Sequence, residues 1–151
     1  CAETFGVTLC VETHGAVEGS DQGVRHIRST TTQVADLGRV LEAAPVSVVF
    51  DPGNLNAVGE DPVAFLDQVA DRIGYVHLKE KAGGRQEWDF PALGKGYVPF
   101  PEVFALLEKE GNASPFSIEI EFTAAGPKDL AEINQAVADS AAYLKAQGFE
   151  F

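Results

Sequence analysis

Four short apolar segments of the sequence each carry a side chain that can bind a metal ion, at or near the C-terminal end of the segment. They are GVTLCVET with Glu12, VSVVFD with Asp51, IGYVHL with His77, and FSIEIEF with Glu119 and Glu121. Carboxylate oxygens combined with one imidazole suit a divalent cation in an oxygen-rich site. The residue types therefore predict metal-assisted chemistry, provided that the fold brings the four segments together.

Repeated strand–helix units are the elements that must do this. Apolar, β-branched runs predict buried strands at 6–13, 46–50, 73–78 and 116–122. Apolar residues at three- and four-residue spacing predict a helix after each strand. These stripes comprise Val34, Leu37, Leu41 and Ala44; Val63, Leu66, Ala70 and Ile73; Val103, Leu106 and Leu107; and Leu130, Ile133, Val137 and Leu144. Thr30 with Gln33 resembles a capping box at the start of the first helix.

The order β-α-β-α-β-α-β-α, with nearly continuous apolar strands, predicts an α/β fold with a parallel sheet covered by helices. Four such units are half of an eight-unit (β/α)8 barrel, in which all strands end at one mouth. The polar segments 15–28 and 79–97 contain glycine and are predicted to be long loops at strand exits. We expect residues 1–151 to form a single partial barrel domain.

Each candidate ligand also has an ordinary structural explanation. Glu12 could be an exposed loop carboxylate, Asp51 a turn residue before proline, and His77 a core histidine. Because the three residues occupy equivalent places in their units, we favour the metal role. Glu119 and Glu121 share a strand face, and Glu119 lies deeper in its segment. We predict Glu119 as the ligand and Glu121 as a supporting residue behind it.

Four neighbouring residues are candidates for substrate contacts. His14 shares a strand face with Glu12, and Lys79 shares one with His77. Asn54 lies in the turn after Asp51, and Arg85 lies in the loop after the third strand. A solvated surface position is an equal alternative for Lys79 and for Arg85.

Composition restricts the function classes. The chain has 151 residues and a net charge of −12, which argues against a nucleic-acid surface and against binding to anionic membranes. No apolar run approaches the roughly 20 residues that span a bilayer. Cys1 and Cys10 do not form a disulfide framework, so we expect a cytoplasmic protein. The sequence contains no methionine, and we expect it to be a piece or a processed product of a longer protein.

The segments VETHG, FDPGN, YVHLKE and SIEIEF resemble the xylose isomerase-like TIM-barrel superfamily of sugar-phosphate isomerases and epimerases. The stretch ALGKG at 92–96 also resembles the loop before the seventh helix of that family. The resemblance covers nearly the whole chain but only the C-terminal half of the family. It therefore implies strands five to eight of a (β/α)8 barrel, without the first four.

The resemblance further implies a site of Glu12, Asp51, His77 and Glu119 for Mn²⁺, Mg²⁺, Co²⁺ or Zn²⁺. It implies that Glu12 and Glu119 are the catalytic pair, lie on opposite sides of a keto sugar, and exchange a proton through an enediolate. Two positions depart from the family pattern. Asn54 stands where some epimerases have a histidine, and Arg85 fits the usual arginine position only loosely.

We therefore predict a metal-dependent sugar or sugar-phosphate isomerase or epimerase, with a small sugar or polyol as its substrate. An inosose or dehydroshikimate-type dehydratase of the same superfamily is an alternative, as is a truncated, non-catalytic remnant. Activity is expected to require the missing half of the barrel. The two unpaired edges of a half barrel predict self-association through exposed strands.

Overall fold

The computed structural model of the chain describes residues 3–20, 23–123 and 125–151. Its strands are Cys10–Glu12 (β1), Ala16–Ser20 (β2), Gly23–Ile27 (β3), Ser47–Phe50 (β4), Ile73–Lys79 (β5), Asp89–Phe90 (β6), Phe116–Glu119 (β7) and Phe122–Thr123 (β8). Its α-helices are Val34–Ala43 (α1), Pro52–Ala57 (α2), Pro62–Val69 (α3), Phe100–Lys109 (α4) and Leu130–Ala146 (α5). Short 3₁₀ turns lie at Glu3–Phe5, Thr30–Thr32 and Ala70–Arg72. None of these described helices is long and apolar enough to cross a bilayer.

The central sheet is parallel and has the strand order β1-β4-β5-β7. Helix α1 lies between β1 and β4 in the chain, α2 and α3 lie between β4 and β5, and α4 lies between β5 and β7. Helix α5 follows β7. The α/β fold predicted from the apolar strands is confirmed. Because the strands run parallel, their C-terminal ends lie at one edge of the sheet.

The hydrophobic core lies between the sheet and the helices. Leu37 of α1, Leu66 of α3 and Val103 of α4 are fully buried, and Phe50 and Val76 of the sheet lie in the same cluster. Each fully buried side chain of this size contributes roughly 1.5–3 kcal/mol relative to an exposed one. The predicted helical stripes of α1, α3 and α4 are confirmed at these positions. Ala44, Ala70 and Ile73, however, lie beyond the ends of α1 and α3, and Ile73 belongs to β5.

The edge strands are shorter than predicted. Strand β1 is confined to Cys10–Glu12 because only this part pairs with β4, and Val7 and Leu9 remain exposed. Strand β7 ends at Glu119, and Phe122 adopts a positive φ of 64°. This left-handed conformation interrupts an extended strand, so the predicted strand 116–122 is divided.

The two predicted long loops contain secondary structure. Segment 15–28 forms an antiparallel hairpin of β2 and β3, with Ala16 opposite Ile27. Segment 79–97 contains β6, which pairs with β8. The hairpin escaped prediction because its polar residues show no clear apolar alternation.

Helix starts also differ from the prediction. Ser29, rather than Thr30, forms a capping box with Thr32, and this box closes the 3₁₀ turn before α1. The turn after Asp51 continues as α2, since the Asp51 side chain accepts a hydrogen bond from the Asn54 backbone and Pro52 occupies the first turn.

Helix α5 uses a different face from the predicted one. Leu130, Ile133 and Val137 are 69%, 36% and 47% exposed, so the predicted stripe is wrong at these positions, although Leu144 is buried. The buried face instead carries Ala136 and Ser140. The Ser140 hydroxyl accepts a hydrogen bond from the Leu93 backbone at 3.0 Å. Small residues on this face let α5 approach the loop before α4 closely.

His26 joins the hairpin to the loop after β5. Its buried ring lies 5.5 Å from that of Trp88 and 5.7 Å from that of Phe90, measured between centroids. The His26 backbone N–H donates to the Arg85 carbonyl at 2.8 Å. Burial lowers the pKa of His26, with the nearby Lys81 acting in the same direction and the Glu87 carbonyl opposing them.

The lowered pKa of His26 gives a pH prediction. The unfolded chain binds a proton near pH 6.5, whereas folded His26 binds it only at lower pH. Stability is therefore lost as the pH falls below 6.5 towards the folded pKa. We expect His26→Phe to show a smaller loss of unfolding free energy over this window, measured in urea titrations. Parallel pH profiles for the two proteins would contradict this assignment.

Two glycines in helices should respond in opposite ways to alanine. A Cβ at Gly53 in α2 would lie 2.6 Å from the Lys79 carbonyl oxygen, whereas a Cβ at Gly38 in α1 meets no atom within 4 Å. We expect Gly53→Ala to lower the unfolding free energy by about 1–3 kcal/mol. Gly38→Ala should raise it by about 0.5–1 kcal/mol. Urea midpoints of both variants check the prediction, and a stabilised Gly53→Ala would refute the close approach of α2 to β5.

Candidate metal centre

The four predicted metal ligands meet at the C-terminal edge of the sheet. Glu12 ends β1, Asp51 follows β4, His77 lies in β5, and Glu119 ends β7. Each residue offers one ligand atom, and these atoms all lie within 4.8 Å of one another. Four side chains that are distant in the sequence thus form one cluster, which we call the four-residue cluster.

His77 lies at the centre of this cluster. Its Nδ1 atom is 3.3 Å from Glu12 Oε1, 3.8 Å from Asp51 Oδ2 and 2.8 Å from Glu119 Oε2. Asp51 is the main cause that raises the pKa of His77, and the charges of Glu119 and Glu12 act in the same direction. At 3.8 Å, the effect of Asp51 is one of charge rather than of a short hydrogen bond.

Asp51 is fully buried and rigidly held. Its Oδ1 accepts a hydrogen bond from the Asn54 backbone at 2.9 Å, and its own backbone N–H donates to Thr13 Oγ1 at 2.8 Å. Burial raises the pKa of Asp51 to about 6, against the opposing effects of His77 and Lys79. The β4–α2 junction therefore fixes this carboxylate at the cost of desolvating it.

Asn54 joins two of the candidate ligands. Its Nδ2 atom donates to Glu12 Oε1 at 3.1 Å and to Asp51 Oδ2 at 3.0 Å. Both amide protons of this nearly buried residue are directed at carboxylates. The structure thus gives Asn54 a role in holding the cluster together, and the substrate contact remains a prediction.

The donor set fits a divalent cation. His77 Nδ1 and Glu119 Oε2 are buried atoms without a hydrogen-bond partner among the described residues, although they lie only 2.8 Å apart. Buried polar atoms of this kind require an explanation such as a bound ion. Ligands at 2.0–2.2 Å from a common cation lie about 3–4.4 Å apart, close to the separations seen here. Glu12, Asp51, His77 and Glu119 could therefore hold one ion after small shifts.

Lys79 and Glu121 lie beside the cluster. Lys79 is 1% exposed, and its Nζ atom is 2.8 Å from Glu119 Oε1, 2.7 Å from Glu121 Oε2 and 3.8 Å from Asp51 Oδ2. Burial lowers the pKa of Lys79, but these three carboxylates outweigh burial and raise it overall. Glu121 thus contacts Lys79 and reaches the cluster only through it.

The other two predicted substrate contacts, His14 and Arg85, lie in different parts of the structure. The exposed His14 lines a narrow cavity with Asn54, Trp88, Phe90 and Glu121. This cavity measures about 20 Å³, room for about one water molecule. Arg85 instead donates to the His26 carbonyl at 3.3 Å, so its guanidinium lies against the hairpin. The substrate roles of His14 and Arg85 remain predictions.

The sequence interpretation missed two residues that shape the site. The Thr13 hydroxyl accepts a hydrogen bond from the Asp51 backbone. In the sequence, only its place between Glu12 and His14 pointed to the site. The fully buried Glu80 accepts backbone hydrogen bonds from Lys81, Gly94 and Val98 at 2.9–3.0 Å. Its signal was hidden because Lys-Glu-Lys is typical of an exposed charged segment.

Comparison with known proteins shows similarity to larger enzymes. An inosose dehydratase from Clostridium beijerinckii is 30% identical, with an alignment covering 61% of this chain and 36% of the dehydratase. An inosose dehydratase from Bacillus anthracis is 32% identical over the same shares. The aligned part is thus about a third of the length of these curated relatives.

Two solved structures show the same fold. A 3-keto-D-glucoside 4-epimerase from E. coli superposes with a TM-score of 0.63 at 21% identity, covering 96% of this chain and 48% of the epimerase. The IolI protein with a bound zinc atom superposes with a TM-score of 0.67 at 19% identity, covering 93% and 49% of the two chains. The chain therefore corresponds to half of a TIM barrel, as predicted.

The family assignment rests on the whole chain. The sequence matches the family described as xylose isomerase-like TIM barrel over residues 1–147. The parallel sheet and the structural neighbours agree with this match. The protein belongs to the xylose isomerase-like TIM barrel family.

Proposed function

We propose that the four-residue cluster binds one divalent cation and that Glu12 and Glu119 transfer a proton next to the carbonyl of a sugar or cyclic polyol. The observation that carries this proposal is the convergence of three carboxylates on His77 Nδ1. When bound, the cation supplies electrophilic stabilisation to the carbonyl oxygen. Mn²⁺, Mg²⁺, Co²⁺ and Zn²⁺ are all compatible with this donor set.

The exposure of the carboxylates supports different roles for them. The side chains of Glu12 and Glu119 are 32% and 31% exposed, whereas Asp51 is fully buried. A group that exchanges a proton with a substrate must be accessible to it. Glu12 and Glu119 meet this condition, and Asp51 suits a purely structural ligand. The open side of the cluster is therefore the side from which substrate approaches.

Two reaction types use this arrangement. In an isomerase or epimerase, one glutamate removes a proton from the carbon next to the carbonyl, and a proton returns at another face or another carbon. In a dehydratase, the same proton is removed and the hydroxyl group on the next carbon leaves. A protonated side chain donates a proton to this hydroxyl group, so that it leaves as water. The epimerase structure supports the first type. The dehydratases, at 30–32% identity, support the second at least as well.

Cation binding is the first test of the proposal. We expect His77→Gln to weaken Zn²⁺ or Mn²⁺ binding by about 100-fold or more, since residues that only support a ligand already contribute about 10–100-fold. Calorimetric titration measures the affinity. His26→Gln is the matched control, because it removes a buried histidine of the hairpin that lies outside the four-residue cluster. Equal affinities for His77→Gln and the parent protein would reject the metal centre.

Proton transfer is the second test. The protein that carries this chain, together with the rest of the barrel that activity is expected to require, is incubated with the cation and either an inosose or a ketohexose in D₂O. Proton NMR follows deuterium incorporation next to the carbonyl. We expect Glu12→Gln and Glu119→Gln to slow this exchange by about 10²–10⁴-fold. Glu18→Gln, in the exposed hairpin, should leave it unchanged. An epimeric product identifies an epimerase, and loss of water identifies a dehydratase.

The cation content of each variant is measured in parallel, because Glu12 and Glu119 are also proposed ligands. A variant that keeps its cation and exchanges at the parent rate would remove that glutamate from the mechanism. A parent protein that contains the rest of the barrel and binds the cation, but exchanges no proton, would instead support the non-catalytic remnant.

A further inference from the structure

Lys79 is surrounded by negative charge in a place that solvent does not reach. Its ammonium contacts Glu119 and Glu121 at 2.8 and 2.7 Å, and Asp51 lies 3.8 Å away. The side chain is 1% exposed and packs over the Phe90 ring, 5.0 Å from its centroid. Three carboxylate oxygens around a buried positive centre resemble the coordination of a hard cation by oxygen ligands.

The ammonium and the four-residue cluster share carboxylates. Glu119 directs Oε2 towards His77 Nδ1 and Oε1 towards Lys79 Nζ. Asp51 Oδ2 lies 3.8 Å from each of these two nitrogen atoms. A carboxylate that faces two centres in this way is positioned as a bridging ligand is in a two-cation site.

The balance of charges at this centre gives a physical reason for the position of Lys79. Glu12, Asp51, Glu119 and Glu121 bring four negative charges within reach of one another. A single divalent cation leaves half of this charge uncompensated, and buried charge is costly unless it is paired. Lys79 supplies one further positive charge on the side away from His77.

We propose that the Lys79 ammonium occupies a second cation position, so that the centre accepts a single divalent ion. The inference rests on the proposed metal function of the four-residue cluster. Lys79 is then a positioning residue: it fixes Glu119 from behind and keeps a second metal ion out. If the Lys79 side chain were removed, the vacant position would be surrounded by oxygen atoms of Glu119, Glu121 and Asp51. This set of oxygen atoms is suited to Mn²⁺ or Zn²⁺.

Lys81, two residues after the end of β5, provides a matched control. It is also buried, and its Nζ atom lies 5.5 Å from the centroid of the same Phe90 ring. Its ammonium, however, is bonded to the backbone carbonyls of Ala82, Gly83 and Gly84. Replacing Lys81 therefore removes a buried ammonium without removing a cation from the carboxylates of Asp51, Glu119 and Glu121.

The experiment counts bound cations. The parent chain, Lys79→Ala, Lys79→Arg and Lys81→Ala are equilibrated with Mn²⁺ or Zn²⁺, and metal content per chain is measured after dialysis. We expect one ion in the parent, in Lys79→Arg and in Lys81→Ala, and two ions in Lys79→Ala, whose short side chain leaves the ammonium position open. One ion in Lys79→Ala would overturn the proposal. No ion in the parent would instead reject the metal centre itself, so the two failures are distinguishable.

Thermal unfolding covers the case in which apo Lys79→Ala does not fold. A second divalent ion replaces the missing ammonium, so added Mn²⁺ or Zn²⁺ should restore the folding of this variant. The same addition should raise the melting temperature of Lys81→Ala no more than that of the parent. A Lys79→Ala chain that stays unfolded with the cation, while Lys81→Ala folds, would also overturn the proposal.

Discussion

The accumulation of carboxylates at one edge of the sheet is the constraint on which the rest of this structure depends. Parallel strands end together, so Glu12, Asp51 and Glu119 are brought into contact whether or not their charges are compensated. Uncompensated charge around the fully buried Asp51 would oppose folding. The chain meets this demand with His77 and Lys79, and with amide donors from Asn54. The residues that surround the proposed metal site are therefore also the residues that stabilise this edge of the sheet.

Several features followed from sequence because they depend on local periodicity. The apolar strands predicted the parallel sheet, and the equivalent places of Glu12, Asp51 and His77 in their units predicted that they would meet. Because parallel strands end at the same edge of the sheet, residues at equivalent places in successive units lie close together. Among the described residues the structure places Glu119 in the cluster and Glu121 beside Lys79, and the ligand role of Glu119 remains a prediction.

Other features depend on tertiary contacts that periodicity does not report. Leu130, Ile133 and Val137 have helical spacing, but α5 packs through Ala136 and Ser140 because a close backbone approach favours small side chains. Ile133 and Val137 border an open groove together with Ile118 and Ile120 of the edge-strand region. Likewise, no local pattern shows that the charged Lys79 is buried, since its partners lie 40 residues away or more in most contacts.

Glu80 determines the geometry of the loop that follows β5. One carboxylate binds the backbone of Lys81 at the start of the loop and of Gly94 and Val98 near its end. Both ends of the loop are thereby anchored to the same side chain, independently of the sequence between them. The intervening residues, which include Trp88 beside the narrow cavity, therefore begin and end at positions that one side chain fixes. A single buried acid thus does for this loop what a covalent cross-link would do, by keeping its two ends at a constant separation.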